Sequence, residues 1–155
     1  VLQELPDVAN ILVPIGGGLH CRLAVQLASK IAIQENAQID YVRVLPASKD
    51  EEVLEDQMAN LQEVVITELG ELPKNAVLRL LFADQVDKAL LNEIRNNPYS
   101  LIIMGSADEH AMNGSMFGKV ADQVAEKAPC SVLVVKRHQT AAASWLRQQV
   151  KRLDF

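Results

Sequence analysis

The sequence predicts an α/β protein: a five-stranded parallel sheet in the order 3-2-1-4-5, with helices on both faces. Three observations predict it. Short apolar runs alternate with stretches of helical period from Asn10 to Val135. Gly and Pro clusters (Gly16-Gly17-Gly18, Pro46, Pro73, Pro98) punctuate them, which implies βαβ units rather than hairpins. Right-handed crossovers then leave few topologies, and 3-2-1-4-5 is the most natural of them.

Each element has its own signal. Asn10–Ile15 is a short buried strand, closed by the triple-glycine turn. From about Leu19 to Ala37 a helix places Leu23, Leu27 and Ile31 on one stripe, with Ala24, Ala28 and Ala32 beside it. Ile39–Leu45 alternates as the second strand and stops at Pro46. Ser48 with Glu51 forms a capping-box pattern before a helix whose stripe runs Leu54, Met58, Leu61, Val65, Leu69. Ala76–Phe82 is the third strand. Asp84 is placed to cap a helix carrying Val86, Leu90 and Ile94, which Asn96, Asn97 and Pro98 end. Leu101–Met104 is the fourth strand. A helix from about Gly118 buries Val120, Ala121, Val124, Ala125 and Ala128, and Cys130–Val135 completes the sheet.

The 155 residues fit one domain, 1–138, followed by a tail, 139–155. The net charge of −5 argues against nucleic acid as a partner. That charge is unevenly spread: the segment from Lys136 onward carries +4 and the remainder −9. In the tail, Ala142, Leu146, Val150 and Leu153 form a stripe, with Trp145 alongside, opposite Arg147, Lys151 and Arg152. Such a helix either packs on its own domain or dimer partner, or presents a basic face to an acidic membrane or a neighbouring domain. No run approaches the roughly 18 apolar residues of a membrane span, and the start lacks the pattern of a signal peptide. The chain begins at Val1 and its first Met is Met58, from which we expect an excised domain or a trimmed chain. Cys21 and Cys130, without CxxC spacing, suit a reducing, cytoplasmic compartment.

The chemistry concentrates in Leu101–Val135. Strand, polar loop and helix N-terminus leave backbone N–H groups free to hold an anion. In the expected order the first and fourth strands are neighbours at the point where the winding reverses, so the Gly16–Gly18 turn and the Gly105–Lys119 loop face one crevice. A cation in a first helical turn opposes the helix dipole, so Lys119 itself suggests an anionic partner. Arg43 either faces solvent from the second strand or lines the crevice. A dinucleotide fingerprint at Gly16 fails, because Cys21 stands where its third glycine belongs. A P-loop fails at Asn113 and at Val120. His20, His110 and His138 are scattered without ligand spacing, so no metal site is expected. No catalytic set is visible, and no enzyme is expected.

These residues resemble the universal stress protein family. Its nucleotide-binding members carry Gly, two residues, Gly, nine residues, Gly, then Ser or Thr after the fourth strand. Here the frame reads Gly105, Ser106-Ala107, Asp108, Glu109–Phe117, Gly118, Lys119. The family's fourth helix ends in Ala-Pro-Cys-Pro-Val-Leu-Val-Val, and this one in Ala128-Pro129-Cys130-Ser131-Val132-Leu133-Val134-Val135. The opening ILVPIGGGLH resembles the family's first strand, with Gly16 where an adenine-contacting Asp usually stands. The resemblance implies the Rossmann-like fold of the adenine nucleotide alpha hydrolase type and a non-enzymatic stress-response module. It implies ATP or AMP as ligand, held around Gly16, Gly17, Val42, Gly105, Asp108, Gly118 and Lys119. Asp108 and Lys119 replace the usual Gly and hydroxyl, so binding is expected to be weakened or lost. The resemblance further implies a homodimer through the last strand, at Leu133, Val134 and Val135. Related domains end chloride channels, amino-acid permeases and antiporters. A cytosolic regulatory domain of a membrane transporter is therefore the alternative.

Overall fold

A computed structural model describes residues 7–108 and 114–138. Its elements run β1 (Asn10–Pro14), α1 (Leu19–Glu35), β2 (Gln38–Leu45), α2 (Glu51–Leu69), β3 (Ala76–Phe82), α3 (Val86–Asn96), β4 (Leu101–Gly105), α4 (Lys119–Lys127) and β5 (Ser131–Val135). All strand pairs are parallel and the order is β3-β2-β1-β4-β5, as the sequence predicts. The expected tail helix, 139–155, lies outside the described residues.

The strand sequence divides the core into two layers. Ile11, Val13 and Ile15 of the β1 segment point to the α1/α2 side, and Leu12 points to the α3/α4 side. All four are buried, which is why this central strand has no polar position between Ile11 and Ile15. Burying a large aliphatic side chain stabilises by roughly 1.5–3 kcal/mol, so β1 anchors both layers at once.

Helix α1 reverses the stripe read from its sequence. Ala24, Val25, Ala28 and Ala32 are fully buried, whereas Leu23, Leu27 and Ile31 are only half-buried at the flank. Small side chains bring the helix close to the sheet, and the larger ones fill the groove towards α2. Asn36 ends the helix in a left-handed conformation (φ 52°), its N–H bonding the Ala32 carbonyl.

Two expected caps are displaced. Helix α2 is capped by Asp50, whose carboxylate accepts from Glu52 N (3.1 Å) and Val53 N (3.5 Å). Ser48 instead accepts from Asp50 N at 3.2 Å, presetting the turn. A carboxylate also meets the helix dipole favourably. Helix α3 opens at Val86, one residue too late for Asp84 to cap it, and its cap position is Gln85. The burial of Leu90, Leu91 and Ile94 sets that phase.

At the end of the sheet opposite the β-strand carboxyl termini, Arg79 of β3 joins Asp40 of β2, Glu93 of α3 and Tyr99. Its Nη1 lies 3.1 Å from both Asp40 Oδ2 and Tyr99 Oη and also bonds Glu93. Tyr99 Oη donates to Asp40 Oδ2 at 2.6 Å. This network fastens α3 and the β4 entry to the β2–β3 edge.

Candidate nucleotide site

The winding reverses between β1 and β4, which pair through Ile11–Leu101 and Leu12–Ile102. Their carboxyl ends therefore diverge into loops on opposite sides, and a crevice opens above them. It has two adjoining compartments that share Pro14, Gly16 and Val86.

The first, of about 450 Å³, lies over β4 and the start of α4. Met104, Leu90 and Phe117 form its apolar wall, and Ser106, Asp108, Gly118 and Lys119 its polar one. Two glycines shape it for steric reasons. A Cβ on Gly105 would stand 2.5 Å from both Cys21 N and His20 C, so β4 ends directly against the first turn of α1. Gly118 has φ +103°, and a Cβ there would stand 2.4 Å from Ala107 Cβ. The loop is closed by Ala107 N donating to Phe117 O at 2.7 Å.

Asp122, in the first turn of α4, completes that closure. Its carboxylate accepts from Met116 N (2.8 Å) and Phe117 N (2.9 Å). A sequence reading aimed at ligands passes over Asp122, although an acid four residues after a loop glycine is its signal. Ser106 was also hidden, as a mere spacer inside the motif. Its N–H donates to Val135 O at 2.9 Å, while its Oγ is buried and has no hydrogen-bond partner among the described residues. A buried hydroxyl without a partner costs about 1–3 kcal/mol. Ser106 lines the same compartment as Gly118 and Lys119, at the start of α4.

The second compartment, of about 440 Å³, lies over β2, with Val42, Val44, Leu45, Gly17 and Arg43 along it and Gln57 and Asn60 from α2 at its rim. Arg43 lines this compartment, which decides between the two orientations the sequence allowed. Its Nε donates to Ile15 O (3.4 Å) and its Nη1 to Gln57 Oε1 (3.3 Å).

The two compartments thus gather all seven candidate ligand residues around one crevice. Gly105, Asp108, Gly118 and Lys119 line the first, Gly17 and Val42 the second, and Gly16 both. Gly105 and Gly118, however, are required by packing. The edge residues lie elsewhere. Strand β5 is the sheet's edge next to β4; Leu133 packs into the α1/α2 layer, Val134 into the α3/α4 layer, and Val135 is buried.

His20, in the first turn of α1, is buried, and its Nδ1 accepts from Arg137 N at 2.9 Å. It fixes the chain leaving β5 rather than addressing the crevice. Cys130 is half-buried, and burial raises its thiol pKa. Among the described residues, no group of three or more His, Cys, Asp or Glu is placed to hold a metal, and no helix is long and apolar enough to cross a membrane.

The model of the universal stress protein family matches residues 8–136. The chain belongs to that family. Solved structures of similar fold include universal stress protein UspA from Lactobacillus plantarum, with 21% identity, TM-score 0.66, and coverage of 85% of this chain and 100% of that one. The universal stress protein from Archaeoglobus fulgidus in complex with dAMP is 19% identical, at TM-score 0.62 over 84% and 99% of the two chains. An Arabidopsis thaliana universal stress protein family protein with AMP bound is 16% identical, at TM-score 0.61 over 84% and 92%. No curated protein matches the chain.

Proposed function

We propose that this universal stress protein domain is a non-enzymatic regulatory module that binds a purine nucleotide weakly in the β1–β4 crevice. The observation that carries the reading is the buried Ser106 Oγ, without a hydrogen-bond partner among the described residues, in the compartment that Gly118 and Lys119 also line. The phosphate lies there, against the first N–H groups of α4 and the Lys119 ammonium, and the base lies over Val42. Adenine nucleotides are the first class to test, since relatives of this fold hold AMP and dAMP. Binding is weak because Asp108 brings a carboxylate to the same compartment, where it repels phosphate.

Chemistry is not expected. Among the described residues Ser106 Oγ has no base within hydrogen-bond reach, so none of them activates it as a nucleophile. The module works in the cytoplasm as a homodimer through β5, whose outer edge needs a cover. Isothermal titration with ATP, AMP and cyclic dinucleotides tests the ligand. Saturable heat at micromolar to millimolar nucleotide supports the reading, and no heat at millimolar nucleotide refutes it.

A second reading is favoured by the charge split, +4 from Lys136 onward against −9 before it. In it the domain is the cytosolic part of an ion channel or transporter, with tail 139–155 facing the membrane. The parent reading frame decides: hydrophobic spans upstream support this reading, and an initiator Met shortly before Val1 without such spans ends it.

A further inference from the structure

The β2-side compartment has a polarity that the phosphate end does not explain. Among the described residues Arg43 is the one charged side chain along it, and no carboxylate lines it. Its guanidinium is half-buried, and its bonds go to the Ile15 carbonyl and the Gln57 side-chain oxygen, not to an acid. Among the described residues no carboxylate forms an ion pair with it. Of five guanidinium donors, those two bonds occupy two and leave three on a side chain that lines the compartment. A half-buried guanidinium without a counter-ion seeks acceptors from whatever enters.

The remaining surface says what enters. Pro14, Val42, Val44, Leu45 and Val86 give apolar walls, which suit a flat ring better than a second phosphate. Gly16 contributes no side chain, and a Cβ there would meet only Cys21 Sγ, at 3.8 Å. Among the described residues the compartment has no carboxylate to accept from an exocyclic amino group, the Gln57 amide oxygen is already engaged by Arg43, Asn60 is exposed at the rim, and the cation is offered to a carbonyl. An arginine fork pairs with the O6 and N7 acceptors of guanine, whereas adenine presents an amino donor beside N7.

From this we infer that Arg43 is a specificity-determining residue and that the crevice prefers 6-oxopurine nucleotides, of the guanine or hypoxanthine type, over adenine nucleotides. The inference rests on the crevice being a nucleotide site, and it accounts for weak adenine binding from the base end as well as the phosphate end. Guanine and hypoxanthine share O6 and N7 and differ in the 2-amino group, so GMP and IMP together separate the O6 contact from any other.

The experiment is calorimetric titration of the full chain with GMP, IMP, AMP, GTP and ATP, repeated on Arg43→Met and Arg43→Lys. Tighter binding of GMP and IMP than of AMP by roughly ten-fold is expected, the scale of one good bidentate pair. Arg43→Met should abolish that preference, bringing the ratio of GMP to AMP affinity to about one. Arg43→Lys keeps the charge and the aliphatic stem, and it should retain only part of the preference because the fork is lost. Circular dichroism of both variants reports folding, and the Lys variant keeps the test open if the Met variant misfolds. Equal affinities, tighter AMP, or a preference that survives in both variants overturns the assignment while leaving the nucleotide site standing. Binding of GMP but not IMP overturns it too, because O6 is then not what is read. No binding of any nucleotide refutes the site and the assignment together.

Discussion

Gly105→Ala tests whether the surviving motif glycine serves packing. A Cβ at position 105 would lie 2.5 Å from Cys21 N and from His20 C, and 2.9 Å from His20 O. All three are backbone atoms, so no side-chain rotation relieves the overlap. Reaching ordinary contact requires the first turn of α1 to move about 1 Å from β4, against a layer in which Ala24, Val25 and Ala28 are fully buried. Overpacking of this kind costs typically 1–3 kcal/mol, and the immobility of the backbone puts Gly105→Ala near the upper end, about 3 kcal/mol. For a domain of this size each kcal/mol moves Tm by roughly 2–4 °C, which predicts a fall of roughly 6–12 °C. Gly17→Ala is the control, since a Cβ there meets nothing within 4 Å. It should be neutral, or stabilise by about 0.4–1 kcal/mol through the unfolded chain. Thermal and urea melts followed by circular dichroism measure both. A Gly105→Ala protein that melts with wild type would refute the close approach of β4 to α1.

Ser106→Ala should raise stability by about 1 kcal/mol, since it deletes a buried hydroxyl without a partner, yet weaken nucleotide binding; a urea melt and a titration on one preparation check the opposite signs. Lys119→Gln should weaken binding roughly three- to ten-fold without lowering Tm, because Lys119 is exposed, acts by charge and opposes the helix dipole; unchanged affinity in low salt would remove it from the site. Arg79→Met strands Asp40 and Glu93 together, and should cost about 2 kcal/mol in a urea melt at neutral pH, less than for a deeply buried pair because water reaches the guanidinium. The chain's two tyrosines, Tyr41 and Tyr99, both have raised pKa values, through burial and, for Tyr99, also its bond to Asp40. Raised folded pKa values mean that the protonated phenols favour the native state below about pH 10, and that stability falls above it by about 1.4 kcal/mol per tyrosine per pH unit. Tyrosinate absorbance should therefore appear together with alkaline unfolding; ionisation near pH 10 in the folded protein would contradict the burial.

Periodicity made the fold legible because strand burial in a two-sided sheet leaves almost no choice at β1 or β4. It misjudged α1, where a helical wheel ranks Leu above Ala, because closeness to the sheet rewards small side chains and a one-dimensional pattern contains no interlayer distance. The Ser48 and Asp84 caps failed for a related reason: core residues set the phase of a helix, which puts Asp50 at the cap of α2 and Gln85, with no side-chain cap bond, at that of α3. The crevice was legible as a place, since Gly16 and Gly118 must meet wherever the winding reverses. Its working groups were less so. Arg43 needed the third dimension to choose a wall, Ser106 sat unnoticed as a spacer, and Asp122 acts backward on Met116 and Phe117 rather than outward on a ligand.

The departures from the family motif follow from this division of labour. Gly105 and Gly118 cannot acquire a Cβ without striking α1 or Ala107, so the fold demands them whatever the crevice binds. Positions 16, 108 and 119 carry no such demand. Gly16 has space for a Cβ, Asp108 is half-buried, and Lys119 is exposed. Exchanging a residue at any of the three alters the charge seen by a ligand at little cost to packing. Survival of the two glycines therefore measures the α/β architecture, and the character of the ligand is written in the side chains that changed. On the reading proposed above, the cation at Lys119, the acid missing at Gly16 and the guanidinium of Arg43, which has no ion pair among the described residues, turn the site towards anionic and carbonyl acceptors, with Asp108 limiting how tightly they are held.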